Sequence, residues 1–152
     1  MSLVVSDTTP LNYLILIGQI DVLPKLFGKI LVPPAVVREM RHSRAPASVA
    51  AWVDNLPAWA EVRSPTWGSK LGIGAGEDEA ISLALELGNV PLLIDDSKAR
   101  AFAKSRGILT IGTVAILDLA DETGLLDFFA AISMLRATNF RMEQAQLAAC
   151  RT

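Results

Sequence analysis

The sequence predicts a single domain with an α/β fold, in which helices cover both faces of a central, mainly parallel sheet. Short apolar runs alternate with segments of helical periodicity along the chain, as in folds built from strand–helix–strand units. The chain has 152 residues, of which 51% are hydrophobic, enough to bury a core of its own. We find no repeat, low-complexity tract or linker, so we expect residues 1–152 to form one three-layer α/β/α domain.

The first half of the chain begins with a strand at residues 3–5 that ends just before Asp7. A helix over 10–18 follows, with Pro10 in its first turn and Gly18 near its end. Proline also opens a helix predicted over 34–42. The remaining elements of this half are a strand at 30–32, a helix at 46–55 and a strand or irregular extension at 60–62.

The second half of the chain begins with a glycine-rich loop at 68–76. It leads into a strong helix over 77–88, which Gly88 and Asn89 terminate. A strand at 91–94 ends in two aspartates, and the next helix runs to about Arg106. The remaining elements are a strand at 108–111 and helices at 113–123, 125–136 and 142–149.

Composition narrows the functional classes. No apolar run is long enough to span a bilayer, and the N-terminal residues lack the regions of an export signal, so we expect no membrane association. The single cysteine, Cys150, excludes an internal disulfide framework and fits the reducing cytoplasm. The single histidine, His42, excludes a histidine-rich zinc site.

Charge is unevenly distributed along the chain. The net charge of −2 argues mildly against a protein that binds nucleic acid through bulk positive charge. From Glu77 onward there are eleven acids and seven bases, whereas five acids and seven bases precede it. Acids that cluster in a fold can bind a cation, and the cation can then bind a phosphate.

Aspartates follow two of the predicted strands. Asp7 comes after the first strand, and Asp95 and Asp96 come after the strand at 91–94. Ligand sites of parallel sheets lie beyond the carboxyl ends of the strands, so we expect these acids to meet at one edge. Each aspartate also has a simpler interpretation as a helix N-cap. The hydroxyl groups of Thr8 and Thr9 are placed to orient Asp7.

The helix at 77–88 separates solvent-facing acids from inward-facing ones. Asp78 and Glu86 recur at a spacing that forms a polar stripe, which we expect to face solvent. Glu79 stacks over Leu83 on the apolar face, where a carboxylate is costly unless it is paired or binds a metal. Glu77 lies over apolar Ile81 in the same way. The alternative is that these acids only complement the helix dipole.

Three further charged residues have two interpretations each. Glu39 falls at the edge of the apolar stripe of the helix at 34–42, so it is either a boundary residue or part of the acidic site. Arg100 and Lys104 are neighbours four residues apart on the helix after Asp96. They are either solvent-exposed or a phosphate clamp beside the acids.

Five segments, in order and spacing, resemble the bacterial and archaeal PIN-like proteins of the VapC-related kind. These segments are VVSDTTPLNYL, VPPAVVREM, GAGEDEAISLALELG, PLLIDDSKAR and ILTIGTVAILDLADETGLL. The resemblance covers about residues 4–141. It implies a PIN-like three-layer fold, cleavage of RNA that depends on a divalent metal, and service as the toxin of a type II toxin–antitoxin pair.

The resemblance also implies roles for individual residues. Asp7 and Asp96 correspond to the primary ligands of Mg²⁺ or Mn²⁺, with Asp95 as an adjacent ligand. Glu39 and Glu79 correspond to acids that bind the metal, directly or through water, or activate the attacking water. The remaining expectations are substrate contacts from Thr8, Asn12, Arg100 and Lys104, a contribution of Glu77 at the rim, an antitoxin partner and a homodimer.

Other functional classes fit the sequence less well. A haloacid-dehalogenase-like phosphatase needs a second aspartate where Thr9 stands, and a receiver domain has its acidic pair near the start of the chain. The alternative that stays open is a PIN-like module that binds RNA or a partner protein and cleaves nothing.

Overall fold

Five parallel strands form the central sheet of the computed structural model, which describes residues 2–68 and 70–142. In chain order they are β1 (Leu3–Ser6), β2 (Lys29–Val32), β3 (Ala60–Val62), β4 (Leu92–Leu93) and β5 (Thr110–Ile111). Their order across the sheet is β3-β2-β1-β4-β5. The first strand of the chain therefore lies in the middle, between β2 and β4.

Eight helices connect or follow these strands in the described part of the chain. They are α1 (Thr8–Leu16), α2 (Val22–Phe27), α3 (Pro34–Met40), α4 (Ala47–Asp54), α5 (Ala75–Glu86), α6 (Ser97–Ser105), α7 (Thr113–Glu122) and α8 (Phe128–Arg136). None of them is long and apolar enough to cross a membrane.

Alternate strand residues contribute to two separate cores. Val4 and Ile30 pack on one face of the sheet with apolar residues of α1 to α4, α7 and α8. Val5 and Leu31 pack on the other face with apolar residues of α5 and α6. Successive side chains of a strand point to opposite faces, so each buried strand supplies both cores. The predicted three-layer α/β/α sandwich is confirmed.

The pairing of β1 with β4 sets the position of the acidic residues. Ser6 pairs with Leu93, and the backbone N–H of Asp7 donates a 2.9 Å hydrogen bond to the Leu93 carbonyl oxygen. Asp7 is thus the first residue beyond β1, and Asp95 follows two residues after β4. The carboxyl ends of these two neighbouring strands bring both aspartates to one edge of the sheet.

One helix, α2, is not indicated by the sequence pattern. It has six residues and contains Pro24, which is too short for apolar periodicity to reveal. It ends at Gly28, whose φ is 79° and where a Cβ would lie 2.7 Å from the Ser2 carbonyl oxygen. Only glycine fits this turn, which starts β2 beside β1.

The polar stripe of α5 does not face solvent as expected. The Asp78 carboxylate accepts hydrogen bonds from four consecutive backbone N–H groups of residues 71–74, at 3.0 to 3.4 Å. The Glu86 carboxylate accepts hydrogen bonds from the backbone N–H groups of Thr66 and Trp67, at 2.6 and 3.0 Å. Residues 66–67 and 71–74 therefore lie along this face of the helix, because their backbone amides need acceptors.

The other predicted elements are present, with ends shifted by up to three residues. The largest shift is at α8, which begins at Phe128 where Asp127 caps it through the backbone N–H of Ala130. Residues 143–149 of the helix predicted at 142–149, and Cys150, lie outside the described residues.

Candidate active site

Asp7 is the most buried acid of the site, with a relative exposure of 1%. It occupies the N-cap position of α1, but its side chain makes no capping hydrogen bond. Its Oδ1 atom is buried and has no hydrogen-bond partner among the described residues. Burial and the negative charges of Glu77 and Glu39 raise the pKa of Asp7 to about 8, against the opposing effect of the Thr8 N–H group.

Glu39 reaches the same place from α3. Its Oε1 atom accepts a 3.2 Å hydrogen bond from the backbone N–H of Gly76, and its Oε2 atom accepts a short one from the Thr8 hydroxyl group. A Cβ at position 76 would lie 2.7 Å from Glu39 Oε1 and 3.1 Å from Asp7 Oδ1. The two carboxylates therefore meet over the first turn of α5, where the absence of a side chain leaves room for them.

Glu77 joins Asp7 from that same turn of α5. After burial, the negative charge of Glu77 is the largest cause of the raised pKa of Asp7, because the two carboxyl groups lie close together. The Glu77 side chain also folds back over Gly74, where a Cβ would lie 2.3 Å from its Oε1 atom. Both glycines of this short stretch thus make space for carboxylates.

Glu79 is not brought to this cluster, contrary to expectation. Its Oε1 atom accepts a 2.8 Å hydrogen bond from the backbone N–H of Ala35, and its Oε2 atom lies 3.7 Å from Arg38 Nη2. Pro33 and Pro34 open α3 without a capping side chain of their own, so Glu79 satisfies an amide at that helix end. Its inward orientation is correctly predicted, but the group it contacts is α3.

Asp95 and Asp96 have different surroundings. Asp95 is held by Thr113, whose backbone N–H donates at 2.9 Å and whose hydroxyl donates at 2.6 Å. Burial raises the pKa of Asp95, while the bonds from Thr113 and the charge of Arg100 oppose the shift. Asp96 is exposed and caps α6 by accepting a 2.8 Å hydrogen bond from the backbone N–H of Ala99.

The residues predicted to contact the substrate differ in their surroundings. Arg100 is half-buried near Asp95, and Lys104 is exposed one turn further along α6. Thr8 is engaged with Glu39, and Asn12 is half-buried on α1.

A groove of about 730 Å³ opens over part of this edge. Its acidic lining residues are Glu77, Asp95 and Asp96. Its remaining lining consists of Thr9, Tyr13, Ser97, Asn139, Phe140 and Arg141. The sequence interpretation missed the aromatic members. Helical phase alone would have added Tyr13, because it lies one turn after Thr9 on α1.

The acidic cluster has the chemistry of a site for a hard divalent cation. Asp7, Glu39 and Glu77 provide carboxylate oxygens, which Mg²⁺ and Mn²⁺ prefer, and the partnerless Asp7 Oδ1 is a donor atom available to a cation. Within residues 2–68 and 70–142, no three acidic, histidine or cysteine side chains are already arranged as a set of metal ligands. Because the pKa of Asp7 is raised, a proton competes with a cation for its carboxylate.

Comparison with known proteins agrees with this geometry. A family model described as "PIN domain" matches residues 3–151, nearly the whole chain. No curated protein matches the sequence.

Proposed function

Because the chain belongs to the PIN-domain family, whose fold is of the nuclease type, we propose that it is a metal-dependent endoribonuclease. The observation that carries this proposal is Asp7 Oδ1, which is buried without a hydrogen-bond partner beside two other carboxylates. Burying an ionised carboxylate beside two other carboxylates is energetically unfavourable unless a cation binds it. We propose Mg²⁺ or Mn²⁺ as that cation, since both prefer oxygen ligands.

We assign the acidic residues different roles according to their positions. We assign Asp7 and Glu77 as metal ligands, with Asp95 or Asp96 completing the anionic side of the groove. Glu39 is oriented by Thr8 and Gly76, so we assign it to take the proton of the attacking water. The bound cation would supply positive charge to the phosphodiester and lower the pKa of a coordinated water.

The basic residues of α6 and the polar residues of α1 are our candidates for holding the RNA. Lys104 is exposed and free to approach a phosphate, whereas Arg100 lies near Asp95 and would reach a phosphate only at the groove itself. Thr8 acts through Glu39. Asn12 is half-buried on α1, and we propose that it contributes at the rim, beside Thr9 and Tyr13, which line the groove.

The decisive experiment is cleavage of total RNA with Mg²⁺, with Mn²⁺ or with EDTA, comparing the wild type with Asp7→Asn, Glu77→Gln and Glu79→Gln. The first two substitutions remove a proposed ligand charge and should abolish metal-dependent cleavage. Glu79→Gln is the matched control, since it makes the same chemical change two residues away and keeps an acceptor for Ala35. Activity in Asp7→Asn equal to the wild type would refute the proposal. Metal binding without cleavage of any RNA would favour the non-catalytic alternative.

We further propose that this activity belongs to the toxin of a type II pair acting in the cytoplasm, as a homodimer. The support is the family resemblance together with the acidic groove, which can accept a basic side chain of an antitoxin peptide as it would accept a metal. Expression of the wild type should arrest growth, and expression of Asp7→Asn should not. Co-expression of the protein encoded by the adjacent reading frame should restore growth.

A further inference from the structure

Two aromatic side chains that contact each other form a wall of the groove. The rings of Tyr13 and Phe140 contact each other edge to face, with centroids 4.9 Å apart and planes at 78°. The Tyr13 hydroxyl group donates a 2.6 Å hydrogen bond to Asn139 Oδ1, which fixes the orientation of the ring. The backbone N–H of Phe140 donates to Thr138 Oγ1 at 3.1 Å, which fixes the segment that carries the second ring.

This wall stands close to the acidic cluster. Tyr13 and Phe140 line the same groove as Glu77, Asp95 and Asp96. Tyr13 is near enough to Asp95 that the aspartate charge, after burial, contributes to raising the pKa of the phenol. Both rings are half-buried, so each is supported by the core and still offers part of its surface to the groove.

We propose that Tyr13 and Phe140 form a stacking subsite for an unpaired nucleobase next to the scissile phosphate. The inference rests on the proposed nuclease function of the acidic cluster. Stacking is suited to this groove because a base has an uncharged face, whereas the phosphates alone would be repelled by the acids until a cation binds. Arg141, at the same edge, is placed to pair with a flanking phosphate.

The geometry favours an unpaired base for a physical reason. Bases inside a duplex are stacked on one another and present no free face, whereas bases in loops and single strands stack on aromatic side chains. The two rings are already held by Asn139 and by each other, so little ordering is needed when a base arrives.

The test is binding of a labelled single-stranded oligoribonucleotide by fluorescence anisotropy, with Ca²⁺ in place of Mg²⁺ to neutralise the acids. The comparison ligands are the same strand with abasic sites and the corresponding duplex. Phe140→Leu keeps the apolar packing but removes the aromatic face, and it should weaken binding of the single strand roughly ten-fold. Phe140→Tyr, the matched control, should bind like the wild type.

Two further readouts separate stacking from a folding defect. Tyr13→Leu removes the other ring and should weaken single-strand binding in the same direction. None of the three variants should change binding of the abasic strand. Equal affinities of wild type and Phe140→Leu for the single strand, or equal affinities of the wild type for duplex and single strand, would overturn the inference.

The nuclease proposal is judged separately, because binding is scored without cleavage. If the wild type binds single strands through these rings but cleaves no RNA, the stacking subsite stands and the catalytic proposal is refuted. If the wild type cleaves RNA and Phe140→Leu binds and cleaves RNA as the wild type does, the catalytic proposal stands and the stacking subsite is refuted.

Discussion

The backbone N–H of Gly76 donates a hydrogen bond to Glu39 Oε1 at 3.2 Å, and this contact fastens the first turn of α5 to α3. The amide is one of those that a helix leaves unpaired at its N-terminus. A glutamate 37 positions away in the sequence supplies the acceptor. The carboxylate is thereby fixed beside Asp7 without a side chain at position 76 to keep the two acids apart.

Replacement of Gly76 by alanine should impair metal binding without unfolding the protein. The new Cβ would lie 2.7 Å from Glu39 Oε1 and 3.1 Å from Asp7 Oδ1, so both carboxylates must move. Alanine is the better helix former by roughly 1 kcal/mol, which offsets part of the crowding. We expect at least a ten-fold loss of Mn²⁺ affinity by calorimetry, with a melting temperature near that of the wild type. The double variant Gly76→Ala/Glu39→Asp, whose shorter acid makes room, should regain part of the affinity, and no recovery would argue against crowding as the cause.

The stability of the metal-free protein should fall as pH rises from about 4 to about 8. The pKa of Asp7 goes from its ordinary value of 3.8 to about 8 on folding, so the folded state binds a proton more tightly than the unfolded state. The stabilisation that comes from protonated Asp7 is fully present below pH 3.8, and it is lost as the pH rises through about 8. Asp7→Asn carries no titrating group at this position, so its free energy of unfolding should depend less on pH. At the upper end of the pH range it should exceed that of the wild type by on the order of a few kcal/mol. Thermal melts in EDTA across this pH range measure the effect, and some slope should remain because burial also raises the pKa of Asp95.

Glu79→Ala should lower stability while leaving the acidic cluster intact. Its carboxylate is an acceptor for the backbone N–H of Ala35 at the start of α3, and removing it leaves that amide without its partner. Losses of this kind cost about 1–2 kcal/mol. Urea denaturation should show this cost for Glu79→Ala and a smaller one for Glu79→Gln, which retains an oxygen. Mn²⁺ affinity should be the same in both variants. A large loss of affinity in either variant would indicate that Glu79 is a metal ligand.

Asp78→Ala should loosen the glycine-rich loop and weaken metal binding indirectly. Its carboxylate accepts hydrogen bonds from four consecutive amides of residues 71–74, immediately before the turn that carries Glu77. Without the Asp78 carboxylate, these amides would form hydrogen bonds with water, and the position of Glu77 would be less well defined. We expect faster amide hydrogen exchange at 71–74 and a several-fold loss of Mn²⁺ affinity. Exchange at unchanged rates would show that the loop is held by other contacts.

The architecture was predictable because it depends on local patterns. Apolar runs bounded by prolines, glycines and aspartates indicate where strands end, and strand ends locate the edge where Asp7 and Asp95 lie. The alternation of strands and helices is sufficient to indicate a three-layer sandwich, since parallel strands need helical connections on their faces.

The membership of the cluster was harder to predict because helix phase shows only that a side chain points inward. Glu77 and Glu79 both have this property, yet one contacts Asp7 and the other contacts Ala35. The difference depends on where α3 begins and ends relative to α5, which is a tertiary relationship. The pairing of Tyr13 with Asn139 spans 126 positions and has no local signature at all.

The central position of β1 has a consequence for the synthesis of the chain. The strand β1 leaves the ribosome before β4, one of its two partners, so one of its edges stays open until residues 92 and 93 emerge. Asp7 directly follows β1, whereas Asp95 and Asp96 follow β4, so the acids at this edge of the sheet are complete only after β4 has emerged. A nascent chain that stops short of β4 has neither a complete sheet nor Asp95 and Asp96, so translation itself delays the proposed activity until most of the domain has been made.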